Sequence, residues 1–163
     1  LKKKYKNIIT IIIPRHVNRA NEIKDELNSN NLKVHLHTSN KPVNNDTDIY
    51  LVDTFGETKS FLEFSKIAFM GKSINGHGGQ NPLEAAIRGN RIIHGPNIEN
   101  FEEVYDFLKK LRISSKITSY KNLENLIIKF YRKKNYSHQI IKKLAYTGNQ
   151  ILLNNEKEIN KYC

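Results

Sequence analysis

Apolar and polar positions along this chain alternate between two rhythms. Residues 7–13, NIITIII, are a β-branched and apolar run with one threonine, the pattern of a strand buried on both faces as in a parallel sheet. Pro14 ends the run. Over residues 18–28 the period lengthens, with Ala20, Ile23 and Leu27 on one stripe, which predicts an amphipathic helix. Asn30 and Asn31 break it. Residues 33–37, KVHLH, alternate and predict a strand near a sheet edge; the polar stretch 38–46 reads as a loop. Residues 48–52, DIYLV, predict another buried strand. Thr54 stands as N-cap of a helix to about Ser65, with Glu57 three residues on. Residues 66–70, KIAFM, return to strand.

Residues 76–96, GHGGQNPLEAAIRGNRIIHGP, are the most informative stretch. Gly76, Gly78 and Gly79 make a loop in which backbone can take positive φ or meet a ligand closely. Pro82 suits a first helical position, LEAAI favours helix, and Gly89 stops it. IIH is a short strand, and Gly95-Pro96 turns the chain. Downstream, helices are predicted over 101–110, 119–131 and 137–160.

Strands alternating with helices imply βαβ units and a parallel sheet with right-handed crossovers. Ligands of such sheets sit at the carboxyl ends of the strands. That rule collects Pro14-Arg15-His16 after the first strand, Phe55-Gly56-Glu57 after the third, and the 76–84 loop after the fourth on one rim. Arg15 can fork onto a phosphate. The backbone of residues 78–81 at a helix start can take phosphate oxygens. Backbone near Phe55 and Gly56 can read a base edge, and Glu84 suits a ribose diol. Each feature also has a plainer reading. Arg15 is then a solvated charge, the glycines serve the loop alone, and Glu57 and Glu84 are carboxylates favoured by a helix N-terminus.

Composition narrows the picture. The chain has 163 residues, enough for one domain or one with an appendage, and a formal net charge of +11. Residues 113–163 hold ten Lys/Arg against three Asp/Glu, a surplus of seven; the preceding residues hold 17 against 13, a surplus of four. We therefore divide the chain into a nearly balanced 1–112 body and a basic, helical 113–163 region. The charge points to an anionic partner surface or to a solvated basic face. Cys163 is the single cysteine, so an internal disulfide is excluded and a reducing compartment fits. No apolar run approaches the roughly 18 residues of a membrane span, and no signal-peptide pattern is present. The histidines lack metal-ligand spacing, and no nucleophile–histidine arrangement is visible, so no metal is assigned. The opening LKKKYKN, without Met, leads us to expect a piece of something longer.

At this point the segments resemble a known family. PRHVNRANEI resembles the PRHPERF segment of the bacterial 3-deoxy-D-manno-octulosonic acid (Kdo) transferases. DTFGE resembles their DTMGE, IAFMGKSI their VAFVGGS, and GHGGQNPLEAAIRGNRIIHGPNIENF their GGHNPLEPAAxGxPVxxGPxxxNF. The matches keep the family's order over roughly residues 8–107. The resemblance implies a Rossmann-like parallel sheet, the C-terminal half of a GT-B glycosyltransferase that moves Kdo from CMP-Kdo to lipid A precursor at the cytoplasmic face of the bacterial inner membrane. Carried over, Pro14 and Arg15, then Phe55, Gly56 and Glu57, then Asn81, Pro82, Leu83 and Glu84 match the family's CMP contacts. No cofactor is implied. Gln80 replaces a histidine, and Asn97-Ile98-Glu99 replaces HTF and carries no assigned role.

The family's catalytic general base belongs to an N-terminal domain with no counterpart in these residues, so no catalytic residue is assigned and the chain alone is expected to bind CMP weakly and transfer nothing. Its STHPGE strand likewise has no counterpart before Lys4. The 8–13 and 48–52 strands are therefore expected to flank a gap or to close on each other, with the missing part supplied by a separate chain or the protein marginally stable. Two other classes remain open. One is a basic nucleic-acid module using the tyrosines of YRKKNY (residues 131–136), although no nucleic-acid motif is present and that partner is not expected. The other is a GT-B domain for a UDP-sugar. The same basic patch suits anionic lipid headgroups.

Overall fold

The structure, a computed structural model, describes Tyr5, residues 8–132 and residues 136–160. Asn7 at the head of the expected first strand, Lys133, Lys134 and Asn135 of YRKKNY, and Cys163 lie outside the described residues. The chain divides into two compact units, residues 1–61 and 62–163.

In the first unit β1 (Thr10–Ile12) leads through a 3-10 turn (Val17–Arg19) into α1 (Ala20–Ser29), β2 (Val34–Leu36) and β3 (Ile49–Leu51). The order is β1-β3-β2 with all pairs parallel, and Thr10 faces Ile49 while Ile12 faces Leu51. Arg19 forks onto Glu22 in the first turn of α1. The helix ends where Asn31 takes φ 59°, a left-handed conformation asparagine tolerates better than most residues. Leu51 and Val52 are fully buried.

One expectation changes here. The 7–13 pattern predicts a strand sealed on both faces, yet β1 is half-buried, with Ile9 41% exposed. Its only strand partner among the described residues is β3. Of the two arrangements expected for the 8–13 and 48–52 strands, the structure has the second: they close on each other, with Val52 N–H donating to Ile12 O at 2.9 Å. β2 is an edge strand, as its alternation predicts.

α2 (Thr58–Phe64) spans the division between the units. The second unit continues with β4 (Ile67–Met70), α3 (Leu83–Ile87), β5 (Arg91–His94), α4 (Glu102–Lys110), β6 (Ser114–Lys116), α5 (Tyr120–Tyr131) and α6 (Tyr136–Ile159). Its sheet is parallel in the order β4-β5-β6. All four residues of the central strand β5 are buried. Successive side chains of a strand point to opposite faces. Accordingly, Ile92 joins a cluster with Ala85, Ala86, Tyr105, Leu108, Ile113 and Ile140, while Ile93 packs with Ile117 and Phe130. Burying each isoleucine contributes about 1.5–3 kcal/mol.

Parallel sheets and C-terminal helices are as predicted, but the strands make two three-stranded sheets rather than one. β6 is an addition: the 113–163 region is not purely helical, because residues 114–116 pair with β5. Among the described residues no helix is long and apolar enough to cross a membrane.

Candidate functional site

β1 and β3 are parallel neighbours in register, so their carboxyl ends leave the same edge of the first unit's sheet. Two of the three predicted segments therefore lie together. Pro14 is half-buried directly beyond β1, and Arg15 is exposed. No polar partner for Arg15 is found among the described residues, so its guanidinium is open to solvent. The turn after β3 carries Phe55, 78% exposed, and Gly56 at φ 87° with open space where a side chain would project. Its backbone is accessible for that reason.

Glu57 is not the capping partner that its spacing from Thr54 predicts. Thr54 does not cap α2, which starts four residues later at Thr58. Its hydroxyl instead donates to the Glu57 carboxylate, which also sits 3.0 Å from His37 Nε2. The Thr54 hydrogen bond first, and His37 after it, hold the Glu57 carboxyl below its ordinary range. His37 is fixed in turn by Tyr50, whose hydroxyl lies 2.7 Å from Nδ1, and by edge-on packing against Phe61. Beside this group Asp53 accepts from Thr38 N–H at 3.0 Å and from the Thr38 hydroxyl. Burial pushes the Asp53 carboxyl up, but the Thr38 hydrogen bonds prevail and it lies below its ordinary range.

The third segment belongs to the second unit, between β4 and α3. The glycine loop is held by side chains of the residues after β5. Gly78 N–H donates to Glu99 Oε2 at 2.8 Å, so this amide is not free for a ligand. Gly78 takes φ 85°, and a Cβ there would come within 2.3 Å of Asn100 Nδ2, so glycine is required on both counts. Asn97 Nδ2 donates to Ile74 O at 2.8 Å and to Gly76 O at 2.7 Å. Tyr105 donates its hydroxyl to Gln80 O at 2.9 Å. Burial raises the Tyr105 phenol to about 12, so it remains a donor throughout the physiological range. Ser73, fully buried, donates to Met70 O at 2.6 Å and accepts from Gly95 N–H at 2.8 Å.

These contacts pin the loop to the segment following β5. Asn97 and Glu99, given no role from sequence, are its main side-chain anchors. The visible signal was their position two and four residues past the Gly95 turn, but nothing in the residues themselves said that they reach back more than twenty positions.

Asn81 Oδ1 accepts from Leu83 N–H at 3.0 Å and so closes the start of α3. Pro82 is fully buried and fixes the entry. Leu83 is 36% exposed. Glu84 is partly exposed, with Oε1 3.8 Å from Arg88 Nη1, a loose i,i+4 pair. α3 is the LEAAI helix that the sequence predicts, and with only five residues its dipole adds little to anion binding. Among the described residues no cluster of histidine, cysteine or carboxylates could hold a metal.

No family model matches the chain. A 3-deoxy-D-manno-octulosonic acid transferase of Rickettsia felis is 34% identical over 165 residues, covering 99% of this chain and 34% of that protein. A 3-deoxy-D-manno-octulosonic acid transferase of Haemophilus influenzae is 33% identical over 109 residues, covering 67% of this chain and 26% of that protein. The chain thus spans about a quarter to a third of the length of these curated relatives. Among solved structures, the C-terminal CMP-Kdo binding domain of WaaA from Acinetobacter baumannii superposes with a TM-score of 0.77 at 22% identity, over 87% of this chain and 74% of that one. That likeness establishes the fold. Neither the nucleic-acid reading nor the UDP-sugar reading is favoured by these relatives.

Proposed function

We propose that this chain, which belongs to the family of the 3-deoxy-D-manno-octulosonic acid transferases, is the CMP-Kdo-binding portion of such an enzyme. Residues 1–112 carry the donor contacts in this reading. As the family likeness implies them, these contacts are Pro14, Arg15, Phe55, Gly56, Glu57, Asn81, Pro82, Leu83 and Glu84. The observation that carries the proposal is the pairing of β1 with β3, which brings an unpartnered Arg15 and an open Phe55-Gly56 turn to one sheet edge.

The chemistry suits those groups. Transfer breaks the bond between the sugar's anomeric carbon and a phosphate oxygen, and the leaving CMP gains negative charge on that phosphate. A cation held there stabilises the transition state more than the ground state. Arg15 has the right charge, fork and freedom for this. The backbone around Gly56 suits the base edge, and Glu84 suits the ribose hydroxyls. The general base that takes the acceptor's proton is not among the residues of this chain in our reading. The acceptor is a lipid A precursor in lipopolysaccharide biosynthesis, met at the cytoplasmic face of a bacterial inner membrane. The basic 113–163 region faces its anionic lipids.

Thermal shift with CMP, UDP and a short DNA duplex at low and moderate salt tests the reading. Stabilisation selective for CMP that survives salt, and is lost in Glu84→Ala with the apo melting temperature unchanged, is expected. Stabilisation by the duplex that salt erases would overturn it in favour of nucleic acid.

A further inference from the structure

The second unit contains a cavity of about 600 Å³ that the donor chemistry does not use. It opens at the amino end of β5, whereas the loop carrying Asn81 to Glu84 follows the carboxyl end of β4. Arg91, the first residue of β5, lines it and is only 8% exposed. A buried guanidinium normally meets a carboxylate, because an uncompensated buried charge is costly. Here it meets two rings. Its Cζ lies 3.3 Å from the centroid of Tyr136 and 4.5 Å from that of Phe130. Rings contact the faces of the guanidinium plane, so only the in-plane N–H groups remain for hydrogen bonding. Nη1 donates to Arg112 O at 2.6 Å. Nε is buried and has no hydrogen-bond partner among the described residues.

Among the described residues the rest of the lining carries no negative charge either. Lys66 and His138 contribute two further nitrogen-bearing side chains. The first turn of the 24-residue helix α6, with Ser137 at the cavity wall, contains no acidic residue. A helix N-terminus carries the positive end of the dipole. Its seat is fixed by Gly89: a Cβ there would fall 2.8–3.0 Å from Ser137 Cβ, O and Cα, so only glycine lets α6 start this close.

We propose that this cavity binds a phosphate group, held by the in-plane edge of Arg91, by Lys66 and by the start of α6. A guanidinium fork with a lysine point charge and helix N–H groups is the donor set that phosphate oxygens take. The volume leaves room for whatever the phosphate is attached to.

Calorimetric titration of the chain with inorganic phosphate, in a phosphate-free buffer, tests the site. Saturable 1:1 binding is expected. It should weaken at least tenfold in K66Q/H138Q, two exposed side chains whose loss leaves the fold intact, and also in R91K, which keeps the charge but loses the planar fork. Flotation with phosphatidic acid vesicles, but not with phosphatidylcholine vesicles, would assign the phosphate to a lipid headgroup. Phosphate binding without flotation would assign it to a soluble ligand. Either result upholds the site. Non-saturable heats, or equal affinity in the wild type and K66Q/H138Q, would overturn it. The CMP response of K66Q/H138Q should equal that of the wild type, so this result is read independently of the donor site.

Discussion

Ser73→Ala probes the link between the glycine loop and the strand it is pinned to. Ser73 is fully buried, donates to Met70 O and accepts from Gly95 N–H. Alanine removes one oxygen and leaves almost no cavity, so the effect is one of hydrogen bonding. Stranding a buried N–H costs about 1–3 kcal/mol, and the lost hydroxyl bond adds about 1 kcal/mol. The sum is about 2–4 kcal/mol, a large share of the ~5–15 kcal/mol that holds a typical domain. For a chain of this length 1 kcal/mol moves the melting temperature by about 2–4 °C, so a fall of about 5–15 °C is expected. Urea unfolding followed by circular dichroism measures the energy, and hydrogen exchange locates it. The amide of Gly95 should lose protection, and the neighbouring amide of Asn97, which donates to Ser73 O at 2.9 Å, should lose some with it. Ser115→Ala in β6 is the control and should stay within about 0.5 kcal/mol. A Ser73→Ala protein as stable as the control, with Gly95 still protected, would refute the reasoning.

Further outcomes follow from the same geometry. Arg15→Ala should weaken CMP by about tenfold to a hundredfold in titration calorimetry, the range for a charged hydrogen bond, and leave the melting temperature unchanged because Arg15 is exposed. Gly89→Ala should destabilise by about 1–3 kcal/mol in urea unfolding, since it combines a left-handed φ of 82° with a collision against the backbone of Ser137. Burial lowers the basicity of His94, although its Nδ1–H donates to Gly95 O at 2.7 Å. The unfolded chain then binds the proton better, so stability should fall as pH drops below about 6.5 towards the lower folded value. In His94→Gln that part of the slope should vanish when unfolding is compared at pH 7.5 and pH 5.5.

Much of the fold was readable because strand and helix differ in hydrophobic period. Each predicted helix and strand is found, with ends shifted by a few residues. What the residues did not disclose was pairing. NIITIII reads as an interior strand, and nothing in it says that among the described residues its neighbour lies on one side only. β6 escaped because Ser114-Ser115-Lys116 has no apolar alternation; it is held by pairing with β5 and by Ser114 Oγ donating to Tyr105 O. The site was legible in part for the same reason. Arg15 and Phe55 follow from strand ends, a local rule. The roles of Asn97 and Glu99 depend on contacts made over twenty residues back along the chain, which no local pattern encodes. Thr54 and Glu57 had the spacing of a capping pair, but they meet side chain to side chain ahead of α2, and His37, brought across from β2's end, joins them.

The most direct test of the donor assignment is a CMP titration of the isotope-labelled chain followed by amide and arginine Nε chemical shifts. The account predicts that signals of Arg15, of Gly56 and Glu57, and of Leu83 and Glu84 move together along one saturation curve with a single dissociation constant. Shifts absent from these residues, or segments titrating with different constants, would contradict it.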